Sequence, residues 1–259
     1  GWTIEEIPPN STGIAALIML NIMEQFPLAQ WGFHSTRTLH AMIEAKKLAF
    51  ADLIRYIGDP RFSDAPIDTL LSKSHGAGRA SQVDMNKAAA LVQPSHLDGF
   101  TNSSGRDTIY LCAIDRQGNI ASLIQSIYTG FGSGLVPDGM GFALHNRGAL
   151  FTLEEDHPNT LAPRKRPLHT IIPGFMKKDG VRLGFGIMGG FNQPQAHAQF
   201  VANIADFDFT IQEALEAGRF TKLTFEGCDV SVEPTLPSEA LEGLRALGHE
   251  LELAPHRSN

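Results

Sequence analysis

The chain has 259 residues and a formal net charge of −7, with 42% hydrophobic and 19% charged residues. This composition indicates a globular protein with a substantial core. The negative charge disfavours nucleic acid as a partner, because binding to phosphates needs a basic surface. No apolar run approaches the roughly 20 residues of a membrane-crossing helix, so the sequence predicts no membrane span.

Cysteines and histidines give no sign of a metal centre. The two cysteines, Cys112 and Cys228, lie far apart in the chain and show no metal-ligand spacing. The ten histidines include no H-x-x-x-H or H-E-x-x-H pattern. We therefore predict no zinc site, and nothing in the sequence implies another metal or an organic cofactor. The sequence assigns no cellular compartment.

Residues 1–107 are predicted to be mainly helical, because apolar residues recur there at helical steps. Lys46 interrupts the apolar face of the longest predicted helix. Its alkyl stem is expected to lie along that face with the ammonium group in water. Three helices are predicted: one ending near Met23, one from near Ser35 to near Gly58, and one within Ile67–Val83.

A polar connector follows at 90–107, and an exposed loop of this kind is a suitable site for a chain break. The next segment, Thr108–Ile114, is rich in residues that favour strands. A turn at 115–119 and a second strand over Ile120–Tyr128 complete a predicted hairpin. We expect Cys112 to be a buried, small apolar residue of the first strand.

The rest of the chain alternates between predicted strands and helices. Helices after paired strands favour sheets packed between helical layers. Further strands are predicted at Gly141–Leu144, Ile171–Met176 and Val181–Ile187, and helices at Gln193–Ile204, Ile211–Ala217 and Ser238–Leu247.

Several motifs occur in an order and spacing that resemble one known family. They are D-T-I-Y-L-C-A-I-D-R-Q-G-N at 107–119, G-F-G-S-G at 130–134, L-H-N-R at 144–147, P-R-K-R-P-L-H-T at 163–170 and G-I-M-G-G at 186–190. Upstream, A-K-K-L-A-F-A-D at 45–52 and R-Y-I-G-D-P at 55–60 extend the pattern. Together they resemble the gamma-glutamyltransferase family of N-terminal-nucleophile hydrolases, across nearly the whole chain.

The resemblance implies a fold and a division into subunits. The expected fold is the four-layer αββα sandwich, of the α/β (α+β) class, present in part. Residues 1–107 would form the mainly helical C-terminal part of the large subunit, with the connector at 90–107. Residues 108–259 would form most of the small catalytic subunit, shortened at its C-terminus. Family precursors are longer at both ends, so this chain is expected to be a piece of a larger assembly.

The resemblance also implies a catalytic apparatus. Thr108 would be the nucleophile, with its own α-amino group as base, which requires prior self-cleavage between Asp107 and Thr108. Ser126 would hydrogen-bond to the nucleophile, and the N–H groups of Gly189 and Gly190 would stabilise the oxyanion. Alternatively, Thr108 is an ordinary strand residue and Ser126 a solvated strand serine. Gly189 and Gly190 would then form a plain turn.

Two departures from the family pattern bear on the substrate. His169 and Thr170 match two serines that hold the substrate α-carboxylate, and Asn146 lies beside these pocket positions. Arg147 replaces a glutamine, and Leu150 replaces an aspartate that pairs with the α-ammonium group. Leucine cannot pair with an ammonium group, whereas arginine favours an anion. Alternatively, Arg147 faces solvent or a structural carboxylate, and His169 is a packed histidine. This pattern predicts an acyl group that carries a carboxylate but no α-amine, as in relatives similar to glutaryl-cephalosporin acylases and oxamate amidohydrolases.

The predicted function is therefore an amidohydrolase or acyltransferase of a small dicarboxylic acid amide. Its expected partners are a small-molecule amide or gamma-glutamyl substrate and the large and small subunits of one precursor. Two alternatives stay open: a true gamma-glutamyltransferase or glutathione hydrolase, and an inactive fragment or binding module with this fold.

Overall fold

The computed structural model describes residues 1–92 and 108–254, which form helices and strands in alternation. The helices are α1 (Gly13–Met23), α2 (Leu28–Trp31), α3 (Thr36–Tyr56), α4 (Ile67–Leu70), α5 (Lys73–Ala80), α6 (Asn192–Ala205), α7 (Ile211–Glu216) and α8 (Ser238–Ala246). The strands are β1 (Thr3–Glu5), β2 (Thr108–Ile114), β3 (Ile120–Ser126), β4 (Gly174–Lys178), β5 (Val181–Phe185), β6 (Phe220–Thr221), β7 (Asp229–Val232) and β8 (Glu250–Leu253). A 3-10 helix covers Arg147–Leu150.

The chain divides into two compact units. The first consists of Gly1–Ile14, Arg55–Ala65 and Gly99–Pro194, and the second of Ala15–Ile54, Pro66–Asp98 and Gln195–Asn259. Each unit combines residues from both sides of the predicted cleavage site. The cleavage site itself involves Asp107, which lies outside the described residues.

Two sheets build the first unit. Strands β1, β4 and β5 form an antiparallel sheet in that order, and β2 and β3 form the predicted antiparallel hairpin. The hairpin packs on β5 and the residues that follow it. A Cβ atom added to Gly186 would lie 2.3 Å from the ring of Tyr110. Glycine therefore allows the close approach between the hairpin and this backbone.

Two expectations about this unit are wrong. Cys112 is exposed rather than buried. Its sulfur lies over Gly184, which has no side chain to cover it. The predicted strand at Gly141–Leu144 is a loop instead, and the N–H of Leu144 donates to the carbonyl of Leu135 at 2.9 Å. Gly141 has φ +69°, which is incompatible with an extended strand.

Helix α3 is the main buried helix of the second unit, and it confirms the helix predicted from near Ser35 to near Gly58. The expected position of Lys46 is wrong, because this side chain is only 1% exposed. Its Nζ donates to the carbonyl of Thr224 at 2.8 Å and lies 4.3 Å from the ring centre of Phe50. These partners replace water around the amine. Burial lowers the pKa of Lys46 well below its usual range.

A small mixed sheet completes the second unit, and the sequence did not predict it. Strand β6 pairs antiparallel with β7, which pairs parallel with β8. Helix α8 connects the two parallel strands, as a crossover between parallel strands requires. The helices predicted over 193–204, 211–217 and 238–247 are confirmed as α6, α7 and α8. Among the described residues, no helix is long and apolar enough to cross a membrane.

Gly58 provides a test of packing in the first unit. A Cβ atom at this position would lie 2.0 Å from the carbonyl oxygen of Pro158, so Gly58→Ala must displace backbone. We expect a loss of about 1–3 kcal/mol in the free energy of unfolding, measured by urea denaturation. The matched control is Gly78→Ala in α5, where an added Cβ atom would meet no described residue within 4 Å apart from its own helix backbone. It should stabilise the helix by up to about 1 kcal/mol. Equal stability of the two variants would contradict this packing.

Candidate active site

The pairing of β2 with β3 places Thr108 directly opposite Ser126. Thr108 is 8% exposed, and its Oγ1 donates a hydrogen bond to Ser126 Oγ at 3.0 Å. The backbone N–H of Tyr128 donates to the same Ser126 oxygen at 2.9 Å. The serine hydroxyl is thus held by the backbone while it orients the threonine hydroxyl. The contact predicted between these two side chains is present, whereas their catalytic roles remain predictions.

A second pair of predicted site residues, Arg147 and Thr170, is also in direct contact. Arg147 begins the 3-10 helix and is 1% exposed. Its Nη1 donates to Thr170 Oγ1 at 2.7 Å. Among the described residues, its Nε and Nη2 have no hydrogen-bond partner, although both are buried. These two donors form one edge of the guanidinium group, which we call the Arg147 fork. Such an edge matches the two oxygens of a carboxylate.

Tyr128 links the two pairs, and sequence reasoning missed it. Its ring centre lies 5.1 Å from the guanidinium carbon of Arg147, while its N–H binds Ser126. The residue is buried and has φ +80°, an uncommon conformation for a side chain of this size. No local sequence pattern distinguishes this tyrosine from an ordinary strand residue. It connects the predicted nucleophile to the predicted anion-binding residue.

Asn146 has a structural position beside this pair. Its Oδ1 accepts from the N–H of Thr129 at 3.2 Å, and its Nδ2 donates to the Thr129 hydroxyl. Its own N–H donates to the carbonyl of Ile127 at 3.3 Å. Asn146 therefore ties the segment after β3 to the start of the 3-10 helix. The structure places it next to Arg147, and its predicted role in substrate binding stays a prediction.

Burial dominates the electrostatics of this region. It lowers the pKa of Arg147 to about 10, so the guanidinium group stays charged at neutral pH. Burial and the nearby charge of Arg147 lower the pKa of His169 to about 4. His169 is therefore neutral near pH 7, and its Nδ1 accepts from the N–H of Ile171 at 3.2 Å. This bond leaves Nε2 as the protonated nitrogen and a possible donor to a ligand.

Gly189 and Gly190 have backbone conformations that favour glycine, with φ +117° and +58°. Their carbonyls accept from the N–H groups of Asn192 and Gln193, at the start of α6. In the part of the chain that the structure describes, neither glycine N–H has a hydrogen-bond partner. No hydrogen bond there joins either glycine to Thr108. Their predicted oxyanion role is compatible with two unused donors, and it stays a prediction.

One buried cluster has the residue types of a metal site, in the second unit. His40, Glu44 and His249 place their possible ligand atoms within 4.8 Å of one another. However, His40 Nδ1 and His249 Nε2 hydrogen-bond to each other at 2.8 Å. The ammonium group of Lys47 lies 2.7 Å from Glu44 and already balances its charge. We interpret the cluster as a hydrogen-bonded part of the core.

Comparison with known proteins decides the family. The sequence profile described as gamma-glutamyltranspeptidase matches residues 1–259. This chain belongs to that family. Among its curated relatives, the glutathione hydrolase-like YwrD proenzyme of Bacillus subtilis is 33% identical, over 98% of this chain and 47% of the relative. The glutathione hydrolase proenzyme of Escherichia coli is 31% identical, over 95% of this chain and 44% of the relative.

The solved structures of gamma-glutamyltranspeptidase relatives confirm the predicted fold class. A cephalosporin acylase from Bacillus halodurans superposes with a TM-score of 0.84 and 39% identity, over 98% of this chain and 45% of that protein. The chain thus has the mixed α/β fold of the N-terminal-nucleophile hydrolases, in part. It spans about half the length of the relatives it matches.

The low pKa of His169 predicts a pH dependence of stability. The unfolded chain binds a proton at His169 near pH 6.5, whereas the folded chain resists protonation until about pH 4. Stability is therefore fully present above pH 6.5 and decreases as the pH falls towards 4. His169→Gln removes this contribution, so its urea midpoint should fall less between pH 7 and pH 5 than that of the wild type. Parallel decreases in both proteins would contradict the buried, neutral histidine.

Proposed function

We propose that the full-length protein containing this chain is an amidohydrolase or acyltransferase that cleaves itself between Asp107 and Thr108. It then forms an acyl-enzyme on Thr108. Its proposed substrates are amides of small dicarboxylic acids, whose distal carboxylate binds Arg147. The membership of the chain in the gamma-glutamyltranspeptidase family supports the reaction class, and the Arg147 fork supports the acyl group.

Maturation supplies the general base. In the uncut chain the nitrogen of Thr108 is an amide and cannot accept a proton. Thr108 Oγ1 attacks the Asp107 carbonyl carbon, and acyl transfer from nitrogen to oxygen gives an ester and a free amine. Water then hydrolyses this ester and releases Asp107 as a new C-terminus. The new α-amino group has an ordinary pKa of about 8, which suits a base near neutral pH.

Catalysis then uses the same hydroxyl. The α-amino group takes the proton of Thr108 Oγ1 as the oxygen attacks the substrate carbonyl. The N–H groups of Gly189 and Gly190 stabilise the negative charge on the substrate oxygen, a contribution of about 3–4 kcal/mol in comparable sites. The protonated amine donates to the leaving amine, and an acyl ester stays on Thr108. Water releases the acid, or an acceptor amine takes the acyl group. No step requires a metal or an organic cofactor.

The Arg147 fork is the observation that carries the choice of substrate. A buried guanidinium group is costly when two of its donors have no partner among the described residues, because burial removes those donors from bulk solvent. A substrate carboxylate would satisfy both donors and the charge. Leu150, where typical transferases have an aspartate, is a buried apolar residue and offers nothing to an ammonium group. These features favour a glutaryl-like acyl group over a γ-glutamyl group.

Hydrolysis of glutathione is the second candidate function. The identity of 31% to the Escherichia coli glutathione hydrolase favours it. The two candidates differ only in the α-amino group of the acyl donor. Rates of hydrolysis of glutaryl anilide and γ-glutamyl anilide by the full-length protein separate them directly. A clear preference for the γ-glutamyl compound would reject the dicarboxylate proposal while leaving the Thr108 mechanism in place.

The maturation step predicts a simple result for Thr108→Ala. Without the hydroxyl, no attack on the Asp107 carbonyl is possible. The wild-type full-length protein should yield two polypeptides, one of which begins at Thr108 by N-terminal sequencing. The variant should stay a single chain and lose hydrolytic activity. Equal activity of the variant and the wild type would instead indicate a non-catalytic binding module.

The anion site predicts the effect of Arg147→Gln, which restores the residue of typical transferases. Loss of a charge-assisted contact should cost about 2–3 kcal/mol, or about 30- to 150-fold in kcat/KM for glutaryl anilide. The control substrate is pentanoyl anilide, in which a methyl group replaces the distal carboxylate of the glutaryl group. Its kcat/KM should not fall. Equal losses for both substrates would show that Arg147 does not recognise a carboxylate.

A further inference from the structure

We infer that Asn159 is a positioning residue that orients the Arg147 fork towards the substrate carboxylate. This inference rests on the proposed function, because it concerns the same anion site. Asn159 would not touch the substrate. It would act through the two backbone segments that carry Arg147 and Thr170.

The side chain of Asn159 bridges these two segments. The residue is fully buried, and its Oδ1 accepts from the N–H of Leu168 at 2.8 Å. Its Nδ2 donates to the carbonyl of Leu150 at 2.5 Å. One amide therefore satisfies a donor on one segment and an acceptor on the other. A buried amide with both ends bonded fixes the spacing of the groups that it joins.

The two bridged positions adjoin the anion site. Leu150 is the last residue of the 3-10 helix that begins with Arg147. Leu168 lies two residues before Thr170, which binds Arg147 Nη1 at 2.7 Å. The bridge and the Arg147–Thr170 bond thus hold the same two segments together at two points. Without the bridge, these two segments would lose one of the two links that hold Arg147 beside Thr170.

Asn159 is itself held in place by its backbone. Its N–H donates to His157 Nδ1 at 3.0 Å, and its carbonyl accepts from the N–H of Thr152 at 3.2 Å. These bonds do not involve the side chain, so they persist in a side-chain variant. Because its backbone is fixed, the Asn159 amide can determine the relative position of the segments that contain Leu150 and Leu168.

The segment that carries Thr170 has a separate anchor. Buried Asp59 accepts from the N–H of Arg166 at 2.8 Å and from its Nη2 at 3.0 Å. The guanidinium groups of Arg61 and Arg166 hold the pKa of Asp59 well below its usual range. Loss of the Asn159 side chain leaves this anchor intact. We therefore expect Asn159→Ala to fold with the Arg147 fork in a changed orientation. Small misplacements of a binding group can lower the reaction rate about 100-fold.

The test compares Asn159→Ala and the milder Asn159→Ser in the full-length protein. The kcat and KM of each are measured with glutaryl anilide and pentanoyl anilide. We expect the KM for glutaryl anilide to rise about tenfold or more in Asn159→Ala, with kcat changed less than about twofold. Asn159→Ser, which keeps one hydrogen-bonding group, should lie between. Pentanoyl anilide should be hydrolysed as by the wild type.

A matched control separates positioning from general stability. Gln199 is a buried amide that donates to the carbonyl of Phe220 at 3.1 Å and accepts from its N–H at 3.2 Å. Gln199→Ala also removes a buried amide bridge but should leave the preference for glutaryl over pentanoyl anilide unchanged. Parallel losses for both substrates in Asn159→Ala would overturn the positioning role.

A second readout does not depend on activity. The side-chain Nε–H resonance of Arg147, in protein labelled with ¹⁵N-arginine, is assigned by its loss in Arg147→Gln. It should shift or broaden in Asn159→Ala and stay unchanged in Gln199→Ala. If the wild type shows no preference for glutaryl anilide, the proposed substrate fails, and this resonance alone decides the role of Asn159. An unchanged Arg147 resonance in Asn159→Ala would overturn the inference.

Discussion

The antiparallel register of β2 and β3 is the constraint on which the site depends. It sets Thr108 opposite Ser126, and a shift of one residue would turn the threonine to the other face of the hairpin. The Ser126 hydroxyl also receives the N–H of Tyr128. The ring of Tyr128 then lies against Arg147. The predicted nucleophile and the proposed anion site are therefore positioned by one short stretch of sheet and the residues just after it.

The buried positive charge of Arg147 determines which kind of ligand this site favours. Arg147 is held by Thr170 on one side, while two of its nitrogens have no partner among the described residues. Buried donors in proteins nearly always have a partner, and a bound ligand is one way to supply it. The same charge helps to keep His169 neutral, so the site has one cation and one neutral donor. That combination suits a single carboxylate, as the proposed acyl group without an α-amine requires.

Local patterns predicted much of the fold and only part of the site. Helix α3 and the β2–β3 hairpin follow from apolar periodicity and turn residues, which neighbouring positions determine. The sheet of β6, β7 and β8 could not be predicted in this way, because its strands are only two to four residues long. In addition, β7 and β8 are separated in the chain by helix α8. The family motifs located Thr108 and Arg147. The bridge made by Asn159 joins positions nine residues away on either side, and no periodic signal marks such contacts.

Trapping the acyl-enzyme would show directly whether Thr108 is the nucleophile. The full-length protein is mixed with glutaryl anilide, quenched with acid during turnover and digested for peptide mass spectrometry. We expect a peptide that begins at Thr108 and carries a glutaryl ester on that residue. Turnover with the acyl group on another residue, or with no peptide beginning at Thr108, would contradict it.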